Sequence, residues 1–160
     1  MSGFHPQATV GSRPIADVEV SMPNDWMEAT PSSRIIDQRV RNRIMEELLG
    51  LAEGDEIVRQ IGGGEYFEAF YDWVPHRADD IRPNSALTQD EAALILKVKI
   101  ALDEACEATP KMVSINELIA TGWPERIKPL ARSALDQMLK RGRFREEVEE
   151  DEPSSTVPWP

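Results

Sequence analysis

At 160 residues with 41% apolar side chains, the chain is long enough for one buried core and too short for two of ordinary size. Its formal charge of −11 is uneven: residues 1–33 carry one arginine against four acids and residues 145–160 one arginine against six, so residues 34–144 retain only −3. The lone cysteine, Cys106, excludes an intramolecular disulfide framework; no apolar run is long enough to span a bilayer, and the opening residues lack a secretory signal pattern, so a cytoplasmic location is expected.

Residues 1–32 and 145–160 combine proline, serine and like charge with few apolar side chains, and are expected to be disordered tails around a helical domain at 33–144. The acidic C-terminal tail would suit a basic protein surface or serve only to keep the domain soluble.

From Ser33, the segment SRIIDQRVRNRIMEELLGL places Ile36, Val40, Ile44, Leu48 and Leu51 at helical spacing. Ser33 is the expected cap and Gly54 the expected end. Arg34, Arg39, Arg41 and Arg43 crowd the N-terminal half, where the helix dipole disfavours cations. They must be held by acids elsewhere in the fold or by an anionic partner, which makes them candidate partner-binding residues.

Gly62, Gly63 and Gly64 follow a second short apolar segment. A phosphate-binding loop would follow a strand and supply lysine with serine or threonine; here a helical pattern precedes the glycines and Glu65 follows. They read as a hinge that folds the next helix back. That helix, EYFEAFYDWV, sets Phe67, Phe70, Tyr71 and Val74 on one face with Tyr66 and Trp73 on its flanks. Core packing accounts for such a stripe, and Tyr66, Tyr71 and Trp73 are also candidates for a partner-binding pocket because each joins an apolar body to a polar tip.

Pro75 ends this helix, and a polar loop leads to Thr88 and Glu91, whose spacing forms a capping box. The long helix beginning there is apolar on more than one face. Ser114 and Glu117 repeat the box for a short helix, and Pro129 suits the first turn of a last helix that stops at Gly142. No strand pattern competes, so the expected fold is all-α: a compact bundle of five to six helices.

Catalytic chemistry is sparsely supplied. His5 and His76 stand apart without partners at metal spacing, Cys106 lies in an apolar helical pattern, and Asp103, Glu104 and Glu107 fit a solvated helix face. No cofactor, metal or enzymatic activity is expected. Residues 88–143 have the rhythm of a helix-turn-helix DNA-binding regulator, with Arg126, Lys128 and Arg132 as candidate nucleic-acid contacts. Pro129 counts against this, since it falls where such a reading helix would enter the groove.

The segments RVRNRI, YDWVP, EATP, GWPERIKPLARSAL and RGRFREEVE, in that order, resemble small uncharacterised bacterial proteins with no assigned activity. The resemblance implies a bacterial cytoplasmic accessory protein and transfers no site. The expected function is a non-catalytic interaction protein, adaptor-like or immunity-like, that binds a protein partner without a membrane; the DNA-binding regulator is the alternative.

Overall fold

The computed structural model describes residues 29–75, 80–111 and 113–160. Those residues form six helices and no strand: α1 Ser33–Leu51, α2 Asp55–Ile61, α3 Gly63–Tyr71, α4 Gln89–Ala108, α5 Ile115–Ala120 and α6 Trp123–Leu139. The all-α fold is as expected; most of the N-terminal tail, together with His5 and His76, lies outside the described residues.

Helix α6 is the central rod. Ile127, Ala131, Ala134, Leu135 and Met138 are fully buried at steps of three or four, and α6 packs most extensively on α4 and α1. From α4, Ile95, Val98, Leu102 and Ala105 enter the same core; from α1 come Ile44, Met45 and Leu48. Ile36, expected on the apolar stripe of α1, is instead exposed, because the core begins one turn later.

Both capping boxes form as the spacing predicts. Thr88 Oγ1 accepts from Glu91 N at 3.2 Å while Glu91 Oε2 accepts from Thr88 N at 3.0 Å, and Ser114 with Glu117 repeats the pattern at 3.3 and 2.9 Å. Helix α1 differs slightly: Ser32 is its cap, accepting from Ile35 N.

The last helix begins earlier than the sequence suggested. Gly122, at φ 73°, ends α5 and starts α6; Pro124 takes the first turn, where a missing N–H costs nothing, and Pro129 lies inside the helix. The helix tolerates Pro129 because that residue is exposed on its outer face, while burial of Ile127 and Ala131 on the opposite side holds the axis through it.

Gly54 does not end α1, which stops at Leu51; it precedes α2 at φ 64°. A Cβ there would lie 2.2 Å from Glu125 Oε1, the atom that accepts from Asp55 N and so closes the start of α2 from across the bundle. At the glycine triplet the hinge rests on one residue. Gly62, at φ 91°, ends α2 and starts α3, whereas Gly63 and Gly64 are already helical.

Residues 145–160 depart from the expected disordered tail: residues 145–151 bond to α1, while Glu152, Ser155 and Trp159 contact Arg141 and Arg143. Asn42 Nδ2 donates to Phe144 O at 2.9 Å and its Oδ1 accepts from Phe144 N at 3.1 Å, the pattern of a strand partner supplied by one side chain. Gln38 donates to Arg145 O and Val148 O and accepts from Glu150 N. Composition misled here because the segment is held through its backbone carbonyls and amides, which do not depend on side-chain polarity.

Glu91 and Arg41 form a fully buried ion pair. The Glu91 carboxylate accepts from Arg41 Nε and Nη2 at 3.2 and 2.7 Å, from Arg141 Nη1 at 3.0 Å and from Thr88 N. Arg41 is itself fully buried and gives further hydrogen bonds to Gly142 O and Met138 O. Glu91→Ala is expected to cost about 3–5 kcal/mol by urea denaturation, because it leaves the Arg41 charge buried without its partner.

The hinge yields a second prediction. Gly62→Ala should lose roughly 1–3 kcal/mol, the cost of forcing an L-residue into an extended backbone at positive φ that is essentially reserved for glycine, whereas Gly64→Ala, in a helix with open space around it, should gain roughly 0.5–1 kcal/mol. Thermal melts of the two single variants check the opposite signs.

Candidate functional site

The arginines of α1 are all engaged within the chain. Arg34 donates to Glu150 O at 3.0 and 2.6 Å, to Asp151 O and to Ser85 O; Arg39 donates to Glu146 O at 2.9 Å. Arg41 holds Glu91, and Arg43 pairs with Glu46 at 2.8 Å and Glu146 at 3.3 Å. Three guanidiniums, from Arg34, Arg41 and Arg141, surround the buried Phe144 ring at 5.2, 5.3 and 5.7 Å from its centroid. What opposes the helix dipole is thus an internal clamp on the C-terminal segment, built largely on main-chain oxygens.

The aromatic candidates divide. Tyr66 is buried with Phe67, Phe70 and Val74, because α1 and α2 both pack on α3 and cover a wider arc than one stripe. Its hydroxyl has no hydrogen-bond partner among the described residues, and burial, with the charges of Asp55 and Glu125, pushes the phenol far above its usual range. Tyr71 is half-buried and its hydroxyl donates to Asp103 Oδ1 at 2.8 Å; Asp103 also takes Lys99 Nζ at 2.7 Å. Trp73 is half-buried against the core.

Arg126, Lys128 and Arg132 lie on α6. Arg126 stacks on the Trp123 ring at 3.6 Å, Lys128 pairs with Glu125 at 3.5 Å, and Arg132 is exposed. Pro129 stands among them on the outer face. Cys106 is half-buried.

A different region emerges from the geometry. Between α1, α2 and α3 lies a cleft of about 280 Å³, lined by Glu46, Glu47, Gly50, Leu51, Ile57, Ile61, Glu65, Tyr66, Ala69 and Phe70. The hinge at Gly62 creates it by turning α3 back against α1 while α2 forms the far wall. Its floor is apolar and includes Ile61, an exposed large aliphatic side chain at 40% exposure. Its rim is acidic.

Glu46 is neutralised by Arg43 and by Arg143, the latter at 2.6 Å. Glu47 is not: among the described residues no cation pairs with it. Burial, followed by the charges of Glu46, Asp72 and Glu65, holds its carboxyl above the usual carboxylate range. Glu65 and Asp72 are exposed and likewise without a salt bridge among the described residues. An apolar floor beneath uncompensated carboxylates suits a cation carried on an aliphatic stem.

Sequence reasoning missed this region because its acids lie on two helices separated by the hinge. The signal available was the run of Glu46 and Glu47 in α1 with Glu65 and Glu68 in α3 and Asp72 just after it, none with a basic neighbour on its own helix apart from Arg43.

The clamp generates a pH prediction. Glu150 resists burial through hydrogen bonds from Ser154 and from the backbone and side chain of Arg145, and its carboxyl is lowered from 4.5 to about 2. A depressed folded-state value means that its contribution is complete above pH 4.5 and is lost as pH falls toward about 2. The protection of the Arg145 and Glu150 amides, taken as the intrinsic exchange rate at each pH divided by the observed one, should fall as pH drops across that window in the wild type, and should be low and nearly flat across it in Glu150→Gln.

No family model, curated protein or solved structure matches this chain.

Proposed function

We propose that the chain is a non-catalytic interaction domain, of adaptor or immunity type, that binds a protein partner through a basic segment. The observation that carries this reading is the cleft between α1, α2 and α3, where Glu47 and Glu65 line apolar surface, with the charge of Asp72 acting on Glu47, and no cation pairs with these three among the described residues. The contrast with the arginines of α1 supports it: each of them finds a carbonyl or carboxylate of the same chain, and at the cleft Glu46 is paired by Arg43 and Arg143, whereas Glu47 and Glu65 have no such partner among the described residues. A half-buried carboxylate with like charges around it weakens the folded state, and such a cost is a feature of binding sites. The reading concerns a surface other than the arginine row and the aromatic trio.

The test is titration with an arginine-rich peptide and a glutamate-rich peptide of equal length, followed by fluorescence anisotropy at two salt concentrations. The arginine-rich peptide should bind, more weakly at higher salt, and the glutamate-rich one should not. Glu65→Lys with Asp72→Lys should weaken binding roughly tenfold or more, about 1.4 kcal/mol, while reversal of exposed Glu104 and Glu107 on α4 should change it by less than about twofold. Equal loss in both double variants would reduce the effect to overall charge and overturn the reading. Retardation of random duplex DNA by the wild type, abolished when Arg126, Lys128 and Arg132 are reversed to glutamate, would favour the DNA-binding alternative instead.

A further inference from the structure

We infer that the cleft between α1, α2 and α3 is an anchor pocket for a single arginine side chain of the partner, an inference that rests on the interaction reading above and sharpens it. Three features carry it. The first is size: at about 280 Å³ the cleft far exceeds the ~30 Å³ share of one water but falls just below the usual range for whole small ligands, roughly 300–1,000 Å³, which suits one long side chain.

The second is the arrangement of polarity. Leu51, Ile57, Ile61 and Ala69 offer aliphatic surface to a methylene stem, while Glu47 on α1 and Glu65 on α3 line the same cleft with carboxylates. Arg43 and Arg143 are occupied by Glu46 and supply no cation to Glu47.

The third is the type of cation. Glu47 is half-buried, and a guanidinium loses less hydration than an ammonium on entering such a place; its planar fork also reaches carboxylates from two helices at once, which a point charge does less well. Charge complementarity therefore selects a basic occupant, and partial burial selects arginine over lysine. Buried arginines that fill a pocket at the centre of an interface commonly dominate its affinity.

Glu47→Gln separates this role from a structural one. Because the folded state holds the Glu47 carboxyl above its usual range, the ionised group weakens the fold at neutral pH, so Glu47→Gln should melt at the same temperature as the wild type or higher while binding is lost. A merely structural carboxylate would lower the melting temperature when removed.

The probes are n-butylguanidinium chloride and n-butylammonium chloride, titrated into isotope-labelled full-length protein and read from amide chemical shifts. Guanidinium shifts should be confined to the neighbourhood of Gly50, Ile57, Ile61 and Ala69, should exceed the ammonium shifts several-fold at equal concentration, and should vanish in Glu47→Gln. Shifts scattered over the acidic surface, equal response to the two cations, or an undiminished response in Glu47→Gln would each overturn the pocket.

The arginine-rich peptide distinguishes failure of the pocket from failure of the wider reading. If it binds wild type and Glu47→Gln equally, the pocket is refuted and the interaction reading stands. If n-butylguanidinium seats in the cleft but the peptide does not bind, the pocket stands and the interaction reading falls.

Discussion

The carboxylate of Glu91 is the point on which the bundle depends. Four donors converge on it: two from Arg41, one from Arg141 and the amide of Thr88. Through them one side chain joins the start of α4, the middle of α1 and the turn after α6. Taking such charges out of water costs several kcal/mol each, and the arrangement survives because the carboxylate is fully satisfied and Arg41 spends further donors on Met138 O and Gly142 O. Those bonds draw the chain after α6 inward, where Phe144 is buried and residues 145–151 meet α1.

The same clamp organises the charge of the whole folded region. On one side of α1, guanidiniums and amides are consumed by carbonyls of the returning C-terminal segment. On the other, toward α2 and α3, the acids of α1 and α3 face one another across the cleft, and only Glu46 is neutralised. A net charge of −11 therefore does not act as a uniform field. The arginines of α1 are engaged within the chain, and Glu47, Glu65 and Asp72 are left without a salt bridge among the described residues. On the proposed function, such an arrangement would favour fast, salt-sensitive encounter with a basic surface, and the apolar floor would supply the short-range complementarity that long-range attraction lacks.

Much of the fold was legible in the sequence because it is set by local chemistry. Thr88 with Glu91 and Ser114 with Glu117 fix two helix starts through hydrogen bonds spanning three residues, and the spacing of Ile44, Leu48 and Leu51 gives α1 its inner face. Gly62 marks the hinge because its backbone is one that glycine adopts without strain. Boundaries were less secure: Pro129 looked like a helix start, whereas the buried stripe from Ile127 to Met138 outweighs the one hydrogen bond that this proline removes.

Pairings across long stretches of chain were decided by the tertiary structure alone. Glu91 could be recognised as half of a capping box, but its role as acceptor for arginines 50 residues away on either side depends on how α1, α4 and α6 cross. The arginine row could be recognised as needing acceptors; that these are largely neutral backbone carbonyls more than 100 residues later has no signature in residue type, since every residue carries a carbonyl. The cleft was hidden for a related reason. Each acid on its rim looks like an ordinary solvated helix position in the sequence, and only the fold brings Glu47 and Glu65 together around surface from a third helix. Local hydrogen bonding and periodicity determined the helices, whereas the meeting of unlike segments determined where charge is spent and where it remains.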